Sequence, residues 1–163
     1  MDLLDETPRE GGCQCGAVRF AAKGILDNPH VCHCRMCQRA TGNFFAPLVG
    51  VPNDRLDWTG TAPAVFESSE GHERGFCAAC GTPLFYRRSG GRHTSLMIGC
   101  FDDPAGIPLL YEFGMESRRA QLDALGTVEA WTTEALMPEE AARIRATNRQ
   151  YRTDGTGGPE GGA

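Results

Sequence analysis

Apolar positions along this chain fall in short runs broken by turn formers, not in long helical stripes. The runs are AVRFAA (17–22), FFAPLVGV (44–51), PAVFES (63–68), TPLFYRR (82–88), TSLMIGCF (94–101) and PLLYEFG (108–114). Pro52-Asn53-Asp54 closes the second, and Asp102-Asp103-Pro104 closes the fifth. Runs of this length between Gly, Pro, Asn and Asp predict strands, hence a mostly β fold. Residues 35–41, ahead of Gly42, have room for one or two helical turns. The long helix predicted is MPEEAARIRATNRQYR (137–152). Pro138 suits its first turn, and Glu139 and Glu140 complement its positive N-terminus. One domain is expected over residues 10–152, with a flexible N-terminus at 1–9. The Gly-rich stretch TDGTGGPEGGA (153–163) is expected to be a disordered tail.

Composition narrows the class. The 163 residues are 40% hydrophobic and 23% charged, enough for one packed core. A net charge of −5 and the lack of a basic stripe argue against nucleic acid as a partner. No apolar run approaches the ~20 residues of a membrane helix. The start, MDLLDETPREGG, is acidic and polar, unlike a secretory leader, so a cytoplasmic location is expected. In a reducing compartment, close cysteines are metal ligands more often than disulfides.

Seven of the eight cysteines form three tight groups: Cys13 and Cys15 in GGCQCG, Cys32, Cys34 and Cys37 in VCHCRMCQRATG, and Cys77 and Cys80 in FCAACGTPL. Thiolates one or three positions apart on a tight turn can face one ion at ~2.3 Å. Gly16 and Gly81 supply the backbone freedom for such turns. The two pairs sum to four ligands, so Cys13, Cys15, Cys77 and Cys80 are assigned to a closed, structural zinc. The trio Cys32, Cys34 and Cys37 then holds a second zinc with one position open to water or substrate. Two readings compete: Cys100 closes the second site, or the same thiols carry an iron–sulfur cluster.

GGCQCGAVRF, CHCRMCQRATG, RGFCAACGTPLF and FDDP, in that order, resemble the glutathione-dependent formaldehyde-activating enzyme family, also called the CENP-V/GFA domain. LDWTG and FESSEGHERGFC fit as well, and the resemblance spans about residues 10–131. It implies an Mss4-like zinc-bound β fold, the same division of the seven cysteines, and zinc as cofactor, two ions per chain. It also implies glutathione as co-substrate and a carbon–sulfur lyase activity that joins formaldehyde to glutathione. The chain departs from the family between Tyr111 and Trp131. Where family members often carry an early His and a late Trp, it has Glu112 or its neighbours and Gln121-Leu122, and Trp131 reads as a packing residue.

Other residues are weighed by chemistry. Arg74 and Arg39 are candidates for gripping the carboxylate of a peptide-like thiol. His33 lies between two ligands; a proton-shuttling role competes with a solvent-facing one, and diverging side chains in a C-x-C turn favour solvent. Ser68, Ser69 and Gly71 form either a loop beside the pocket or a plain hairpin turn. One of Phe44 and Phe45 is expected in the core and the other at the cleft. Asp102 or Asp103 is expected to cap backbone amides, and ESRRAQ to be a solvated charged face. The leading function is a zinc-dependent carbon–sulfur lyase-like enzyme acting on adducts of a small thiol with an aldehyde such as formaldehyde. The alternative is a non-catalytic binding module with both zincs structural. A thiol-redox or metal-handling role for the trio comes third.

Overall fold

A computed structural model describes residues 2–151, so the tail expected from 153 lies outside the described residues. Among the described residues, ten strands form two sheets. The smaller has the order β1-β2-β5, from Leu3–Gly12, Val18–Leu26 and Leu56–Gly60. The larger has the order β10-β3-β4-β9-β8-β7-β6. Its strands are β3 (His30–Cys32), β4 (Ala46–Pro52), β6 (Ala64–Ser69), β7 (His72–Phe76), β8 (Pro83–Arg88), β9 (His93–Met97) and β10 (Tyr111–Phe113). Neighbours are antiparallel except β10, which runs parallel to β3. The mostly β expectation is met.

The core lies between the sheets. Val18, Phe20 and Ala22 of β2 pack with Val49 and Val51 of β4, and with Leu84, Phe85 and Leu96. Phe101 and Trp58 meet the Phe20 ring edge-on, at 5.1 and 5.7 Å between centroids. β4 and β9, central in the large sheet, are covered on both faces. Val49 and Val51 face the main core, while Ala46 and Leu48, with Met97 of β9, face a second cluster built on Cys32 and Cys37. That second face positions the functional site.

Within the N-terminal stretch expected to be flexible, residues 3–9 supply most of β1, which pairs along β2 from Leu3 to Gly12. Its polar sequence hides the strand because β1 is an edge, half exposed and irregular between Leu3 and Pro8. The helix expected at 137–152 is shorter: α3 spans Pro138–Thr147, with Pro138 in its first turn and one short helix, α2 (Thr133–Leu136), before it. Trp131 is 60% exposed and packs nothing into the core. The chain returns at Tyr151, whose N–H donates to the Gln14 carbonyl at 2.6 Å.

Candidate functional site

Two hairpin turns, one from each sheet, build the first cysteine group. Cys13 and Cys15 sit between β1 and β2, Cys77 and Cys80 between β7 and β8. All four sulfurs lie within 4.8 Å of one another. Cys13 and Cys15 are 3.5 Å apart, Cys15 and Cys77 3.9 Å. A tetrahedral ion ~2.3 Å from each sulfur needs them about 3.8 Å apart, so the donor set fits zinc. Gly16 and Gly81 carry φ of 78° and 77°, the left-handed turns that let the thiols converge. The Val18 amide donates to Cys13 Sγ at 3.3 Å. The Thr82 hydroxyl lies 3.1 Å from Cys80 Sγ. Burial raises the Cys80 pKa, but the Thr82 contacts and Cys15 bring it down to about 6.

The second group forms where β3 runs into α1 (Arg35–Thr41). Cys32 ends the strand, Cys34 is the helix N-cap with its sulfur 3.4 Å from the Cys37 amide, and Cys37 sits in the first turn. The three sulfurs lie within 4.8 Å of one another, with Cys32 and Cys37 buried. Three soft thiols on so short a span fit one zinc ion and leave a fourth position. Cys100 does not join them. Its thiol donates to the Pro83 carbonyl at 3.2 Å. Burial, then the nearby Cys13 and Cys80, push its pKa up to about 12.

Charge within the trio is uneven. The hydrogen bond from Cys32 draws Cys37 down; burial opposes it and the Arg74 guanidinium adds to it, and the result is about 5. Cys32 is pushed well up, first by its hydrogen bond to Cys37 and then by burial. Arg74 Nη2 donates to Cys37 Sγ at 3.6 Å, and Arg74 is 7% exposed.

β10 and the turn after it roof this site. The His33 amide donates to the Phe113 carbonyl at 2.8 Å, and Gly114 (φ 72°) passes against the Cys34 backbone. His33 itself is buried at 1% exposure, correcting the solvent-facing expectation. Its Nε2 meets Glu112 Oε1 at 3.2 Å, and its ring stands edge-on to Phe45. Glu112 thus anchors the ring between Cys32 and Cys34. The buried Gln38 amide donates to the carbonyls of His33 (2.6 Å) and Ser117 (2.9 Å), tying α1 to the same roof. Sequence reasoning missed Gln38; only its place between Cys37 and Gly42 marked it.

The two candidate arginines separate. Arg74 lines a cleft of about 290 Å³ with Ala40, Phe66, Phe76 and Met97. Arg39 is exposed and lines another, of about 370 Å³, with Arg35, Arg119 and Phe44. Phe44 is therefore the cleft residue and Phe45 the half-buried one. Ser68 and Ser69 end β6, and Gly71 lies in the hairpin turn to β7, at the opposite end of β7 from Cys77. Asp103 accepts from the Ala105 amide at 2.9 Å, while Asp102 pairs with Arg19. ESRRAQ is more than a solvated face: Arg118 binds Asp123 at 2.7 Å, and Arg119 donates to Gln38 at 3.1 Å.

Among solved structures, a crystal structure of a Rhodobacter sphaeroides protein is similar, with a TM-score of 0.52 and 19% identity over 63% of this chain and 98% of that one. At that identity the likeness concerns the fold alone. No curated protein matches the chain. The family model described as glutathione-dependent formaldehyde-activating enzyme matches residues 8–114. That stretch holds all eight cysteines, Arg74 and Glu112. With both thiol groups assembled inside it, the chain belongs to the glutathione-dependent formaldehyde-activating enzyme family.

Proposed function

We propose that this chain is a cytoplasmic zinc-dependent enzyme that makes and breaks the carbon–sulfur bond between a small, glutathione-like thiol and an aldehyde such as formaldehyde. The observation that carries the reading is a trio of converging thiols with no fourth side-chain donor among the described residues. Cys13, Cys15, Cys77 and Cys80 would hold a structural zinc, and Cys32, Cys34 and Cys37 the second. A bound zinc supplies a site that keeps an incoming thiol, of pKa ~8.5 in water, as its thiolate at neutral pH.

The chain's own residues do the rest. Cys32 and Cys37 are buried, which keeps the donor face dry. Arg74 offsets thiolate charge at Cys37. The reaction balances without a redox step. The thiol loses its proton, sulfur bonds to the carbonyl carbon, and the carbonyl oxygen takes up a proton; cleavage is the reverse. Arg74 and Arg39 are the candidates for a carboxylate on the thiol, and Arg74 is the one beside the trio.

Cys34→Ser tests the reading. Metal content should fall from two zincs to one, and turnover of a thiol–formaldehyde adduct should vanish. Turnover at the normal rate would defeat the mechanism. In cobalt-substituted protein, a small thiol should shift the visible spectrum of the second site. An unmoved spectrum favours the non-catalytic module with both zincs structural.

A further inference from the structure

Three arginines meet where α1 faces the turn after β10. Arg35 and Arg39 come from the helix, one turn apart, and Arg119 from the segment that follows Ser117. With Gln38, Asn43 and Phe44 they line the cleft of about 370 Å³. The chain carries 21 acidic residues against 16 basic ones, yet no carboxylate lines this cleft. None of the three arginines enters an ion pair among the described residues. A neutral oxygen holds two of them instead. Gln38 is 4% exposed, and its amide nitrogen is committed to the carbonyls of His33 and Ser117. Its Oε1 accepts from both Arg35 Nη1 and Arg119 Nε. Two guanidinium groups drawn to one acceptor stand close and repel, and an amide oxygen neutralises neither. Most of their N–H donors are left over, and Arg39 adds its own from the exposed side. An anion bridging the three would relieve that repulsion.

We propose that this cleft binds a dianionic phosphate group, with Gln38 as the positioning residue and Arg35, Arg39 and Arg119 as the ligands. A phosphate presents three acceptor oxygens in different directions, which suits three planar forks better than the two oxygens of a carboxylate. The Phe44 ring, 44% exposed in the same lining, gives the organic part of a small phosphate monoester an apolar wall. None of the trio's cysteines lines the cleft, so this site is separate from the carbon–sulfur chemistry and stands whether or not the trio holds a catalytic metal.

The test is calorimetry on the full-length, zinc-loaded protein at constant ionic strength. Phenyl phosphate should bind at least tenfold more tightly than benzoate, which has the same ring and a single charge. Equal binding of the two, or no binding of either phosphate ligand, overturns the proposal. Arg39→Gln should weaken phenyl phosphate about tenfold, and Arg119→Gln should do the same. Arg143→Gln on α3, which removes the same net charge elsewhere, should leave binding unchanged. An Arg39→Gln protein that binds normally, or an Arg143→Gln protein that is weakened as much, defeats the site. If Arg119→Gln loses the second metal, Arg39→Gln decides alone, because Arg39 is exposed and forms no ion pair. Inorganic phosphate should bind about threefold more weakly than the ester, a gap that Phe44→Ala closes. Equal binding in the unaltered protein overturns the ester and leaves free phosphate as the occupant. S-methylglutathione, with both carboxylates and no free thiol, should not displace phenyl phosphate at tenfold excess. Displacement would give the arginines to the thiol substrate and overturn the phosphate seat.

Discussion

At Cys37 a strand, a helix and an arginine meet. The sulfur takes a hydrogen bond from Cys32 and faces Arg74 from β7, 37 positions along the chain. Cys100, by contrast, is a half-buried thiol satisfied by a carbonyl. Cys100→Ala should therefore leave two zincs per chain by metal analysis; loss of one would mean that it closes a site. Gly75 makes a different point. A Cβ there would stand 1.9 Å from Phe85 Cε1, inside the main core. Gly75→Ala should cost about 1–3 kcal/mol in urea unfolding, the usual range for overpacking, with metal content unchanged.

At the scale of elements, β10 matters beyond its three residues. Among the described residues it is the only parallel neighbour in the large sheet, and it carries Glu112 over His33 and leads Gly114 over Cys34. Gly114 has φ 72°, and a Cβ would lie 2.8 Å from the Cys34 nitrogen, a backbone atom that cannot swing aside. Gly114→Ala should lift this roof. The second metal should then be lost to a competing chelator at lower chelator concentration than in the unaltered protein, while the first is retained. Helix α1 shows local and long-range causes joined. Cys34 caps it, Gly42 ends it at φ 63°, and Gln38 fastens it to the turn at Ser117.

Across the whole molecule, the first cysteine group clasps a hairpin of the small sheet to a hairpin of the large one. Metal bound there closes a loop between residues 13 and 80 and stabilises the fold directly. Zinc-held thiols titrate far below their unfolded value of ~8.5, so the stability they bring is full above that value and declines as pH falls. The melting temperature of the zinc-loaded protein should drop between neutral and mildly acidic pH, with zinc released in step. A chelator should remove most of that dependence. A pH-independent melting temperature would count against thiolate ligation.

Much of this was legible in the sequence because its cause is local. Ligand spacing within a turn, a glycine after each pair and apolar runs between turn formers are set by a few adjacent residues, so both thiol groups and six strands could be read from the chain. The strands that escaped are short or polar. β1 and β5 are half exposed in the small sheet, β3 has three residues, and β7 carries charge on a strand that ends in a bulge. Local pattern cannot report a pairing that another strand supplies. For the same reason the tertiary structure alone decided that His33 is buried under Glu112, that Cys100 stays outside the trio, and that Arg74, not Arg39, stands beside Cys37. Burial and charge at each of those positions come from residues tens of positions away, brought near only when the sheets stack.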